Sequence, residues 1–200
     1  MTNTPTAARD AAVALAQSDN RRAEAMAKAI EYPWFRAQAL AWVARYAADT
    51  DVTRVSQFAL TAASDNEDAY RQAAASAWVL RALMERNRRE EALAMLEMVL
   101  HTVPRIPSAA SRSEALFLLL QAVFDSSEEI RRSLLFALAT IYDDDQHWRV
   151  ERNYRDALVM MKAVDPAYVQ RMAQGRSDAQ REKLERALAE DTCEPRTFFW

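Results

Sequence analysis

One glycine, Gly175, and one cysteine, Cys193, serve a chain of 200 residues. So little glycine excludes the Gly-rich loops that cradle phosphates, and it leaves few residues for the left-handed turns that many β-hairpins need. A lone cysteine excludes an intrachain disulfide and fits a reducing compartment. Lysine stands only at 28, 162 and 183, so nearly all of the 26 basic residues are arginine, a bias read first as base composition. No apolar run approaches the ~18 residues that a membrane-spanning helix needs. The best candidate, Ala115 to Phe124, is far shorter. The opening MTNTPTAARDAA has no basic segment followed by an apolar one, so no secretory signal is expected and the cytoplasm is the expected location. The net charge is −3, with both signs spread along the chain. A nucleic-acid binder instead shows a basic excess or stripe, because phosphate contacts release counterions.

What is present is alanine, 40 residues of it. Alanine is the best helix former, and helices joined by short polar turns need almost no glycine. An all-α chain follows. It also repeats. Ala41-Trp-Val-Ala-Arg45 recurs as Ala77-Trp-Val-Leu-Arg81, 36 residues later. Fainter copies follow at Arg112 to Gln121 and around Arg155-Asp-Ala157. Each carries apolar residues at helical spacing and reads as the first helix of a hairpin. Between the copies lie second helices with one apolar stripe: Ala23, Ala27 and Ile30; Val55, Ala59 and Ala62; Ala92, Leu96 and Val99; Ile130, Leu134 and Ala137.

The turns agree. Ser111 to Glu114, Ser126 to Glu129 and Ser177 to Gln180 have capping-box spacing. Pro33, Pro104, Pro107 and Pro166 fall between periodic segments, where a missing N–H is harmless. The pattern predicts helices near 6–17, 21–31, 34–48, 52–63, 67–86, 89–102, 108–125, 127–142, 147–163, 167–174 and 178–190.

Residues Ser76 to Pro104 resemble one tetratricopeptide unit, with Ala92, Leu96, Val99 and Pro104 at that family's small, large, small and proline positions. The chain departs from the family at Leu80 and Val99, and its spacing drifts from 36 to about 42. The resemblance implies an α-solenoid of about five antiparallel hairpins (about 6–31, 34–63, 67–102, 108–142 and 147–174), with a HEAT-type array as the alternative. Residues 1–190 then form one domain, with 178–190 as the helical cap that a terminal repeat needs. Residues 191–200 are a tail.

Superposing the copies places Arg45, Arg81 and Gln121 at one position, Asp49, Glu85 and Asp125 one turn later, and Ala41, Ala77 and Phe117 one turn earlier. In the resembled family the first two of these positions face the concave groove, which implies a ladder that holds a bound peptide or helix, with Ala41, Ala77 and Phe117 beside it. Ordinary intrahelical ion pairs on a solvated face are the competing reading. Trp42 and Trp78 read as core. Thr197-Phe-Phe-Trp200 ends a polar tail, and Phe198, Phe199 and Trp200 must dock somewhere: back on the chain, on a partner or on a second copy.

Catalytic groups do not assemble. His101 and His147 are remote in sequence from any paired nucleophile. Asp143-Asp144-Asp145 lacks the spacing and turn glycine of a calcium loop, so no metal or other cofactor is expected. The expectation is therefore a non-enzymatic scaffold, chaperone or adaptor whose partner is another protein or peptide. Nucleic-acid binding through Arg81, Arg86, Arg88 and Arg89 is the alternative, disfavoured because Glu85, Glu90 and Glu91 stand beside them. An enzyme using helix-borne carboxylates ranks third.

Overall fold

The computed structural model describes residues 4–190, 193 and 195–199. Among these residues the chain forms eleven α-helices and no strand: α1 Pro5–Leu15, α2 Asn20–Lys28, α3 Pro33–Tyr46, α4 Val52–Ser64, α5 Ala69–Glu85, α6 Arg89–Leu100, α7 Ala109–Ala122, α8 Glu128–Asp144, α9 Trp148–Lys162, α10 Pro166–Gln174 and α11 Asp178–Glu190. A 3-10 turn, Val103–Arg105, lies between α6 and α7. No described helix is long and apolar enough to cross a membrane.

Local chemistry sets the ends. Pro5, Pro33 and Pro166 are the first residues of α1, α3 and α10, where proline's fixed φ is pre-set and its missing N–H goes unused. Asp19, Asp68 and Asp165 cap α2, α5 and α10 by accepting from the N–H groups of Arg22, Arg71 and Tyr168. Two expected caps move. Ser108, not Ser111, caps α7, and Ser127, not Ser126, caps α8. At α11 the reciprocal half of the box is made, Ser177 N–H donating to Gln180 Oε1 at 3.3 Å. The end of α5 is a Schellman motif: Arg88 N–H donates to Leu83 O at 2.9 Å and Asn87 N–H to Met84 O at 3.1 Å. Asn87 makes this possible with a left-handed φ of 58°.

The described residues divide into two units, one running to Ile106 and including Phe198 and Phe199, the other lying between Pro107 and Thr197. The sequence reading treats 1–190 as one repeat domain. In the first unit α1 packs on α2 and α3, α3 on α4 and α5, and α5 on α4 and α6. A helix flanked on several sides must be apolar nearly all round. That is why every residue from Ala37 to Ala44 of α3, and from Ala73 to Leu80 of α5, is buried. The many alanines let the backbones approach closely. Helices α2, α4 and α6 bury one stripe each, the one expected from spacing.

In the second unit α7 packs on α8 and α9, α8 on α9, and α9 on α10 and α11. Leucines replace alanines: Leu119, Leu120, Leu135, Leu138 and Leu158 are fully buried. The stripe of α8 is rotated from the expected one. Leu134, Leu135, Leu138, Ala139 and Tyr142 are buried, whereas Ile130 and Ala137 are half-buried. Tyr142 and Tyr154 stack at 5.0 Å, and the Arg176 guanidinium lies over both rings at 5.4 and 5.2 Å while pairing with Asp143. Desolvation in this cluster raises the pKa of both tyrosines and lowers that of Arg176.

Candidate partner-binding surface

Trp42 and Arg45 are three apart on α3, and Trp78, Arg81 and Glu85 are three and seven apart on α5. Such spacing brings each set to one helix face. Because α3 packs on α5, the two faces adjoin. Arg45 Nε donates to Glu85 Oε2 at 2.5 Å, and Arg81 Nε donates to Oε1 of the same carboxylate at 3.0 Å. Arg45, Arg81 and Glu85 are thus brought together, two guanidiniums on one acid, all half-buried.

The remaining ladder positions are arranged differently. Helix α3 ends at Tyr46 and α7 at Ala122, so Asp49 and Asp125 lie in exposed turns rather than one turn further along a helix. Asp49 instead receives Arg86 at 2.5 Å on its carboxylate and Arg88 at 2.8 Å on its carbonyl. Of the arginine cluster proposed for nucleic acid, Arg81, Arg86 and Arg88 each face a carboxylate. His101 caps the end of α6, and His147 caps the start of α9 by accepting from Arg149 N–H.

Phe198 and Phe199 lie on the α3–α5 face. Phe199 meets Trp42 edge-on at 4.9 Å and Trp78 at 5.7 Å, and Phe198 meets Trp78 at 5.6 Å. The Arg45 guanidinium stands 4.7 Å from the Phe199 ring centre and 5.3 Å from those of Trp42 and Tyr46. Phe198 is only 6% exposed. Edge-to-face pairs contribute ~0.5–1.5 kcal/mol each beyond area burial, and a cation–π contact ~0.5–1 kcal/mol at an exposed site. Trp200 lies outside the described residues.

In the second unit, Phe117 and Gln121 of α7 line a cavity of about 190 Å³ with Glu114 and Leu118 of the same helix, Arg152, Asn153 and Asp156 of α9, and Arg196. Sequence reasoning placed Phe117 and Gln121 at a surface but missed their α9 neighbours. A signal existed: Asn153 and Asp156 are polar residues inside an otherwise apolar stripe, and both are buried. It also assigned Trp42 and Trp78 to the core without seeing their role as the platform for Phe198 and Phe199. Among the described residues no cluster of three His, Cys, Asp or Glu side chains is placed to hold a metal ion.

No family model, curated protein or solved structure matches the chain.

Proposed function

We propose that the protein is a non-catalytic scaffold or adaptor, and that it holds a peptide or helix of a partner protein on the face of α3 and α5 bearing Trp42, Arg45, Trp78, Arg81 and Glu85. The observation that carries this reading is the segment already there: Phe198 and Phe199 lie against the two tryptophans, with Arg45 over the second ring. A surface built from two indoles, a guanidinium and a carboxylate offers stacking, cation–π and charge-assisted contacts to an aromatic, extended chain. The alternation of helices packed on both sides with helices packed on one supports a degenerate tetratricopeptide-like array as its framework. The pairing of Arg81, Arg86 and Arg88 with carboxylates favours a protein partner over nucleic acid.

The test uses the chain ending at Thr197 and a fluorescent peptide with the sequence of residues 194–200. Saturable binding to the shortened chain, weakened about two- to fivefold by Arg45→Met, is the expected result. A folded shortened chain that ignores the peptide would remove this face as a docking surface. If the shortened chain does not fold, a protease site placed at 191–195 and cut after purification supplies the same measurement. Loss of the released tail and its rebinding support the reading, and a tail that leaves and never rebinds opposes it.

A further inference from the structure

We propose that the cavity between α7 and α9 binds a ligand presenting a carboxylate beside an N–H donor, the chemistry shared by an α-amino acid and the carboxyl end of a peptide. This does not rest on the α3–α5 surface.

The unmet groups of the cavity define the ligand. Gln121 is 5% exposed, and its Oε1 is buried without a hydrogen-bond partner. Its Nε2 lies 3.9 Å from Met160 Sδ. A thioether accepts hydrogen bonds but cannot donate them, so this contact orients the amide and leaves the oxygen as the open acceptor. Buried acceptors in folded proteins are nearly always satisfied, and an unsatisfied one is destabilising. Something that donates completes it.

The neighbouring polar groups are already engaged. Asn153 Nδ2 donates to Ser113 Oγ at 2.9 Å, Asp156 accepts from Arg155 at 3.1 Å, and Glu114 faces Arg196 at 3.5 Å. Arg152 differs. It rests 5.5 Å from the Trp148 ring and has no carboxylate within ion-pair distance among the described residues. The outstanding need is one donor for Gln121, and the exposed Arg152 offers beside it a planar fork that suits a carboxylate. Phe117 and Leu118 supply an apolar wall for a side chain, and about 190 Å³ admits a group of amino-acid size.

The experiment titrates the full-length chain with leucine, leucinamide and the tripeptide Ala-Ala-Leu as free acid, followed by amide chemical shifts and calorimetry. Leucine or the tripeptide acid is expected to bind and to shift Gln121 and Asn153, with leucinamide at least tenfold weaker. The tighter of the two acids identifies free amino acid or chain end as the source. Arg152→Gln, at an exposed position, should weaken binding at least tenfold. Gln121→Leu should abolish binding yet melt no lower than the parent chain, because it removes an unsatisfied buried acceptor. Equal binding of leucinamide, no saturable shift with either acid, or a Gln121→Leu chain that melts lower while binding leucine normally would each overturn the assignment.

Discussion

Arg45 on α3 and Arg81 on α5 share one carboxylate: Glu85 takes the first at 2.5 Å through Oε2 and the second at 3.0 Å through Oε1. Ladder charges that a sequence reading would direct outward thus satisfy one another. Arg45→Glu with Arg81→Glu would bring three acids together at a half-buried node, a change expected to lower stability by about 2 kcal/mol. The neutral Arg45→Met keeps an apolar stem and leaves Glu85 with Arg81. It should lose no more than about 1 kcal/mol, mostly its cation–π contacts. Urea denaturation of the three chains, with a Glu85→Gln cycle, measures both.

The tail contacts make a separate prediction. Phe198→Ala removes a ring that is 6% exposed against Trp78 and should lower stability by about 3 kcal/mol. Phe199→Ala, at a half-buried position, should cost about 1 kcal/mol. Tryptophan emission should shift to the red in both as the indoles gain water. Emission unchanged from the parent chain would mean that the tail does not cover them.

Glu24 should make the first unit acid-sensitive. Arg54 donates to both of its oxygens at 2.6 and 3.0 Å, and Lys28 stands at 2.6 Å. The Arg54 hydrogen bonds, helped by Lys28 and opposed by desolvation, hold its pKa down at about 2 against the ordinary 4.5. A carboxylate whose folded pKa is depressed stabilises the fold above its unfolded value, and that contribution disappears as pH falls through the folded one. Glu24→Gln should therefore be less stable than the parent at pH 7, by on the order of 1–2 kcal/mol. The difference should shrink between pH 4.5 and 2. A pH-independent difference would contradict the assignment.

Asn87 holds the left-handed position that ends α5, with φ 58°. Asn87→Gly should be neutral or stabilising by a few tenths of a kcal/mol, since glycine adopts this conformation without a Cβ clash. Asn87→Val should cost about 1–2 kcal/mol. Thermal melts of the two variants distinguish this cap from a solvated turn.

The helices were legible because alanine content, proline placement and apolar spacing act locally. The eleven predicted segments coincide with the eleven described helices to within about three residues. Their ends were less so. Ser111 and Ser126 have capping-box spacing, yet the caps are Ser108 and Ser127, which lack a Glu or Gln three residues on. The same applies to Asp49 and Asp125, which the pattern extends along helices that stop before reaching them.

By itself the sequence determined that the chain is helical, where each helix lies and which stripe most of them bury, because these depend on residues three or four apart. Only the tertiary structure decided that one carboxylate serves Arg45 and Arg81, that Phe198 and Phe199 lie on Trp42 and Trp78, and that Gln121 and Arg152 line one cavity. Apart from the i, i+4 pair Arg81–Glu85, those relationships join residues about 30 to 160 positions apart. Their partners are chosen by how helices pack, which no local spacing encodes.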